Sequence, residues 1–422
     1  MTVAATRPAP GMLGLCFEAS PFRLAAAGAA GRINRAAALY IGSPLRLRRM
    51  PEAELPEAGW LRLRPALTGI CGSDVHQACL DAAIDNPLSG LITFPHVLGH
   101  ETVARVATGT EGLEAGRWVA VDPWLGCEAR GISPPCPSCA AGNPPLCENV
   151  TAEAPGGKGR GMHLGNVPGL PGGFSTSMVA HRSQCHPLPD GVEPAAGVLA
   201  DPLAVGWHAV ERSGFEGGLA VVLGAGTIGL SAAAVLRHRF PEATVIVTAA
   251  WPHTRRLVAR LGATPCGLDP AVLVAAVRER TGGSLVRPWR GPPWLAGSGA
   301  DLVIDSVGAA GTAETALRIV RPRGRIVNIG VDRPRRTENT LGYYKEVVTL
   351  GSNGYGWVER DGKRVHEMDH ALGMLATGAL PHDEMLTHRF PLHRWRRAFA
   401  TAARPGATGA IKVTIETEEM PA

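Results

Sequence analysis

The sequence predicts an α/β protein in two parts, a β-rich N-terminal region and a doubly wound parallel sheet, with the C-terminal tail returning to the first part. Three observations carry this reading. At 422 residues the chain exceeds what one hydrophobic core ordinarily fills, so two domains are expected. Over residues 1–204, short alternating apolar segments are separated by Pro and Gly, as in antiparallel sheets. From residue 205, apolar runs alternate with helical patterns, as in βαβ units.

The elements follow in order. Residues 12–18, 45–49 and 60–64 are alternating or β-rich and read as strands; residues 96–105 and 118–121 continue that character. Residues 219–223 (strand), 227–239 (helix), 244–248 (strand) and 254–261 (helix) then alternate. Residues 301–305 and 325–330 are further buried-strand candidates, with a helix at 313–320 between them. Residues 283–300, rich in Pro, Trp and Gly, read as a surface insertion. Residues 390–416 regain β character and rejoin the first region. The expected division is therefore 1–204, 205–350 and a return over 351–422.

Composition excludes several function classes. The net charge of +5 is spread thinly, and no Lys/Arg block with interleaved aromatics appears, which argues against nucleic acid as a partner. Residues 1–10 show neither a basic start nor an apolar run, so no signal peptide is expected. Residues 217–236 are uncharged over the length of a membrane span. A short strand pattern at 219–223 and the glycines at 224–229 break that stretch, so no membrane span is expected. Nine cysteines are too many to ignore and odd in number, and four of them fall within 127–147. That clustering reads as metal binding in a reducing, cytoplasmic compartment rather than as a disulfide framework.

The most informative residue is Cys71, which opens Cys71-Gly72-Ser73-Asp74-Val75-His76, with Gly99-His100-Glu101 following. A thiolate, an imidazole and a carboxylate can hold zinc with one position left open, the requirement for catalysis. Asp201, in Asp201-Pro202-Leu203, is an additional or alternate ligand. Charge limits the set: Cys71 and Glu101 together neutralise Zn²⁺, and adding Asp201 makes the centre net negative and a weaker Lewis acid. One carboxylate is therefore expected to bind directly and the other through water. Such a centre acidifies a bound hydroxyl; for water the shift is from 15.7 to about 7, roughly 12 kcal/mol. Ser73 and His76 form a plausible proton exit, and Asp74 a partner for the free ring N–H of His100. Each residue alone has a bland reading, since a lone Cys is usually a small buried hydrophobe. The combination carries the argument.

Cys127, Cys136, Cys139 and Cys147 place four thiolates in a Gly/Pro-rich loop. Four thiolates close a tetrahedron and leave no open position, which makes a structural zinc site. A redox dithiol and four unconnected cysteines are the competing readings. A nucleic-acid zinc knuckle is disfavoured, because the loop lacks His and Arg130 is its only basic residue.

Gly224-x-Gly226-Thr227-Ile228-Gly229 follows an apolar strand and opens a helix, the context that makes a glycine turn a dinucleotide site of Rossmann type. The place where an NAD site offers an acid reads Thr248-Ala249-Ala250-Trp251, followed by Arg255 and Arg256. Either arginine can face a 2′-phosphate, or both are solvated helix charges; the lean is toward NADP over NAD.

In these motifs the chain resembles the zinc-dependent medium-chain alcohol dehydrogenases, in the polyol/threonine dehydrogenase-like branch. The likeness spans residues 12–414 and rests on residues 69–74, Gly99-His100-Glu101, the four cysteines, Asp201-Pro202-Leu203 and the glycine turn. The resemblance implies a GroES-like β-rich catalytic domain, a Rossmann domain, and a homodimer or homotetramer. It implies Cys71, His100 and Glu101 as ligands of a catalytic zinc with Asp201 additional or alternate, Ser73 and His76 as relay, and Lys412 near the cofactor phosphates. The four lobe cysteines would hold a structural zinc. The implied activity is hydride transfer between NAD(P)(H) and an alcohol or polyol and its carbonyl. Three features depart from the family pattern. Eight residues, 128–135, separate the first two lobe cysteines where two are usual, Asp201 stands where Glu is more common, and the acid after the second strand is missing. The alternatives are a zinc-independent enone or quinone reductase on the same scaffold, or a non-catalytic cofactor-binding protein. Segments 80–95, 155–172 and 283–300 either shape the substrate pocket or are surface loops.

Overall fold

The computed structural model describes residues 11–81, 86–157, 159–331, 337–360 and 362–418. The N-terminal residues 1–10 and parts of the 80–95 and 155–172 segments lie outside the described residues. The chain divides into two compact units, one of residues 1–188, 192–198 and 388–422, the other of 189–191 and 199–387.

In the first unit the central strand is Trp60–Gly69, whose alternating apolar residues are almost all buried. It pairs antiparallel with Glu101–Val106 on one side and with Met178–His181 and Val413–Glu416 on the other. Trp118–Val121 and Cys185–Pro187 extend the sheet beyond Glu101–Val106, and His388–Pro391 flanks Val413–Glu416. A second sheet orders Leu45–Pro51, Gly11–Phe17 and His96–Val97. Its apolar face joins a core of Leu15, Leu45, Ile70, Phe174, Trp395, Phe399 and Ile415. Phe399 meets Phe174 and Trp395 edge-on, at centroid distances of 5.8 Å and 6.3 Å, the arrangement the ring quadrupoles favour.

The second unit is built on a six-stranded sheet in the order Thr264–Cys266, Thr244–Thr248, Leu219–Leu223, Ala300–Asp305, Val320–Asn328, Val348–Gly351, all parallel. In sequence order this is 3-2-1-4-5-6, the doubly wound order of a dinucleotide fold. Every residue of Leu219–Leu223 is buried, because helices cover both faces of a parallel sheet. That same burial explains the uncharged stretch 217–236. It is one strand followed by the helix Thr227–Arg239, whose last turn carries Arg237, His238 and Arg239 against the negative helix end. Among the described residues no helix is long and apolar enough to cross a membrane.

Two expectations are refined. Residues 283–300 are not merely a surface insertion: Ser284–Val286 and Trp294–Ala296 pair as a hairpin, with Trp289 fully exposed while Leu295 is buried in the core of the unit. The return to the first unit comes at His388 rather than at residue 351, and the earlier boundary lies at residue 199 rather than 205. The cause is the helix Glu367–Ala376, which packs on the helix Ala200–Ser213 and is tied to it by His208 Nδ1 and Glu367 Oε2 at 2.8 Å. Both partners are buried, so the pair commits residues 351–387 to the second unit.

Phe399→Ala would remove the ring that joins Phe174 to Trp395. Urea denaturation of the full chain should show the first unit destabilised by about 3–5 kcal/mol, with the second unit's transition unchanged.

Candidate catalytic metal centre and cofactor turn

The register of three strands assembles the first site. Gly69 pairs with Glu101 on one neighbouring strand and with Thr414 on the other. Cys71 follows Gly69 by two residues, His100 precedes Glu101, and Lys412 precedes Thr414 by two. The ligand atoms of Cys71, His100 and Glu101 consequently lie within 4.8 Å of one another. That spacing suits donors placed about 2.0–2.3 Å from one zinc ion.

Gly69 is required there by close approach. A Cβ on it would meet Glu101 Oε2 at 2.1 Å and Lys412 Cδ at 3.1 Å. Lys412 forms a buried ion pair with Glu101 and donates to the Ile70 carbonyl at 3.4 Å. The two side chains are 3 % and 1 % exposed, and a buried cation and anion at this spacing must be paired. Lys412 therefore sits on Glu101 in the first unit, which adds a partner the sequence reading did not foresee.

Cys71 is the N-cap of the helix Gly72–Cys79. Asp74, three residues on, accepts the Cys71 backbone N–H through Oδ2 at 2.9 Å, which fixes the entry angle of the chain. Its other oxygen, Oδ1, is 3.7 Å from His100 Nδ1. Burial raises the Asp74 carboxyl above its ordinary range, against the pull of His100, the Cys71 N–H and Lys412.

His76 reaches Asp81, with Nδ1 and Oδ1 at 2.6 Å, and Arg35 pairs with the other Asp81 oxygen. Burial raises the Asp81 carboxyl, but the His76 hydrogen bond and the Arg35 charge outweigh it and hold the group below the usual carboxylate range. Ser73 is exposed on the first turn of the same helix, with no hydrogen bond to His76 among the described residues. Asp81 carried no motif signal; only its position five residues after His76 hinted at it.

His163 was likewise unmarked. Its ring packs on His100 at 5.2 Å between centroids and stands edge-on to Trp124 at 5.6 Å. Its Nδ1–H donates to the Leu164 carbonyl at 2.6 Å, while burial and the neighbouring His100 push it down to about 3. A neutral imidazole and an indole thus border the cluster.

The four lobe cysteines converge, their sulfurs within 4.8 Å of one another and Cys127 Sγ 3.7 Å from Cys147 Sγ. A disulfide needs about 2.05 Å, whereas the edge of a zinc–thiolate tetrahedron is about 3.8 Å for Zn–S near 2.3 Å. Backbone N–H groups point at the sulfurs: Cys127 at Cys139, Cys136 at Cys127, and Glu148 at Cys136, at 3.3–3.4 Å. Burial raises Cys136, but the N–H groups of Cys139 and Glu148 pull it down to about 7. Burial pushes the Cys147 thiol up to about 11, and a divalent cation would reverse that. The eight-residue gap does not prevent closure; Cys127 joins the cluster.

In the second unit, Gly224 takes φ +97° to end the first strand, and a Cβ on Gly229 would meet the Gly224 carbonyl at 2.1 Å. Helix Thr227–Arg239 starts there with no side-chain cap hydrogen bond, and its positive end suits a phosphate. Thr248 Oγ1 accepts the Gly224 N–H at 2.8 Å, so the end of the second strand braces the turn. Arg255 donates Nε–H to the Ala249 carbonyl at 3.1 Å, and Trp251 stacks on His253. Asp201 also belongs to this unit. It lies in the first turn of Ala200–Ser213 and accepts a 2.6 Å hydrogen bond from the Tyr355 hydroxyl.

Comparisons with known proteins identify the family. Residues 57–190 match the alcohol dehydrogenase GroES-like domain, and residues 227–370 match the zinc-binding dehydrogenase domain. The chain is 32 % identical over 297 residues to a protein of Aspergillus clavatus named probable D-xylulose reductase A, covering 68 % of this chain and 73 % of that one. It is 28 % identical over 371 residues to 2-dehydro-3-deoxy-L-galactonate 5-dehydrogenase of Pseudoalteromonas atlantica, covering 86 % and 94 %. A zinc-binding dehydrogenase of Sinorhizobium meliloti, solved with NADP, superposes with a TM-score of 0.68 at 25 % identity, covering 97 % of this chain and 100 % of that one. Together with the cysteine–histidine–glutamate cluster and the glycine turn, these matches place the chain in the zinc-dependent medium-chain alcohol dehydrogenase family, as an oxidoreductase that moves hydride between a nicotinamide and an alcohol or polyol.

Proposed function

We propose that the chain oxidises a secondary hydroxyl of a polyol or sugar acid, or reduces the matching ketone, with Cys71, His100 and Glu101 holding the catalytic zinc. The observation that carries this reading is the convergence of those three donors within 4.8 Å in a chain that also has the glycine turn. The polyol and sugar-acid substrates of the relatives support the substrate class. Zinc, when bound, supplies Lewis acidity that lowers the pKa of a substrate hydroxyl, and the nicotinamide accepts the hydride.

The protein's own residues do the rest. Glu101 carries one negative charge whose outer oxygen is compensated by Lys412. Cys71 and Glu101 with Lys412 therefore sum to a single negative charge, leaving a divalent ion net positive and ready to stabilise negative oxygen. Glu101 has this position in the cluster, and Asp201 accepts from the Tyr355 hydroxyl; we assign Glu101 as the direct ligand. Asp74 orients His100, and His76, steadied by Asp81, together with Ser73 on the same helix would form the proton exit. The four lobe cysteines hold a second, structural zinc.

For the cofactor we infer NADP. The end of the second strand offers Ala249 and Ala250 in place of an acid, and Arg255 lies beside them with its Nε on the Ala249 carbonyl. The nine cysteines, all unpaired, fit a reducing cytoplasmic compartment, and the family resemblance supports a homodimer or homotetramer.

Metal analysis should find about two zinc ions per chain, falling to about one in both Cys71→Ala and Gly69→Ala, with dehydrogenase activity lost in each. Retention of both ions in Cys71→Ala would refute the ligand assignment. Turnover with NADPH should exceed that with NADH. Arg255→Ala should raise KM for NADPH by about tenfold or more while leaving KM for NADH unchanged, as loss of a charged phosphate contact predicts. His76→Ala should slow alcohol oxidation by about 100-fold, with partial recovery in imidazole buffer; an unchanged rate would remove His76 from the relay.

A further inference from the structure

The eight-residue gap between Cys127 and Cys136 contains Arg130, whose side chain turns inward. Arg130 is only 7 % exposed. Its Nε donates to the Leu125 carbonyl at 2.9 Å, Nη2 to Gly161 at 2.7 Å and Nη1 to Ala152 at 3.4 Å. These three carbonyls take three of the five guanidinium N–H donors without cancelling its charge. Among the described residues no carboxylate forms an ion pair with it; burial lowers its pKa, and the ionisable side chains that face it are the lobe thiols, Cys147 foremost, then Cys127 and Cys139. An unpaired buried guanidinium is costly, so this one needs an anion.

Four thiolates around a divalent ion supply that anion, with a net double negative charge. Backbone N–H groups of Cys127, Cys136, Cys139 and Glu148, together with the Asn149 amide at 3.2 Å from Cys127, relieve part of it as dipoles. Dipoles do not change the net charge.

We infer that Arg130 is the counter-cation of the four-cysteine lobe, a positioning residue that halves the charge of its metal–thiolate centre and so retains the metal. This inference rests on the reading that the lobe holds zinc. It also gives the long gap a role: the extra residues fold a cation into the lobe instead of interrupting it. Three carbonyls, two of them buried, aim the guanidinium, and the thiolates give it a partner. The dependence is mutual, because removing the metal leaves Arg130 buried without that anion.

The test uses full-length, zinc-loaded protein and follows metal release to 4-(2-pyridylazo)resorcinol at neutral pH. The lobe phase is the one that Cys147→Ser abolishes. Arg130→Met, which keeps the length of the side chain without its charge, should release lobe zinc about tenfold faster or more, the range seen when outer partners of metal ligands are removed. Arg130→Lys should hold the lobe zinc within about twofold of wild type, since it keeps the charge. In cobalt-substituted protein the thiolate-to-metal charge-transfer bands should move to lower energy in Arg130→Met and stay in place in Arg130→Lys. Wild-type release from Arg130→Met, or release from Arg130→Lys as fast as from Arg130→Met, would overturn the inference; the second result would mean that Arg130 only braces carbonyls. Should Arg130→Met not fold, Arg130→Lys decides alone. A wild-type protein with no release phase sensitive to Cys147→Ser would sink the metal reading itself, before Arg130 is changed.

Discussion

The structure of the first unit turns on one register, the pairing of Gly69 with Glu101 on one side and Thr414 on the other. Side chains at one level of a sheet are neighbours whatever their separation in sequence, so three distant segments deliver Cys71, Glu101 and Lys412 to one point. A slip of one residue would turn Glu101 to the opposite face of its strand and dissolve the cluster. The missing side chain of Gly69 matters as much as the residues present, because it leaves room for the buried Glu101–Lys412 pair. Packing of Phe174, Trp395 and Phe399 beneath the sheet, and the terminal strand Val413–Glu416, hold that register in place.

The two candidate metal sites solve opposite electrostatic problems. The Cys71 cluster has two anionic donors with a lysine against one of them, which leaves a bound dication electron-poor and fit for chemistry. The four-cysteine lobe would carry excess negative charge once it held zinc, and it offers N–H donors to its sulfurs and one buried guanidinium. The first arrangement favours negative charge developing on a substrate oxygen, and the second neutralises charge already there.

Much of this was legible because it is local. The strand at Leu219–Leu223 and the helix at Thr227–Arg239 stand where their apolar runs and the glycine turn placed them. The ligand candidates Cys71, His100 and Glu101 come together, as do all four lobe cysteines despite the long gap. What could not be read is non-local. His163 against His100 and Tyr355 on Asp201 join residues of ordinary type far apart in the chain, and Asp81, though only five residues from His76, belongs to no motif. The hairpin that buries Leu295 was hidden by its Pro- and Trp-rich turn. The second unit's extension to residue 387 depends on a buried His208–Glu367 pair formed across 159 residues.

By itself, then, the sequence determined the two-part architecture, the dinucleotide turn and the donor types at each metal centre, because periodicity, glycine placement and ligand chemistry are written in neighbouring residues. Only the tertiary structure decided which charges face which. Lys412 lies against Glu101, far from it in the chain, and Arg130 turns into the lobe rather than toward solvent. Burial makes those choices: inside the protein a charge is tolerated only beside a partner, and partners are assigned by strand register and packing, not by distance along the chain.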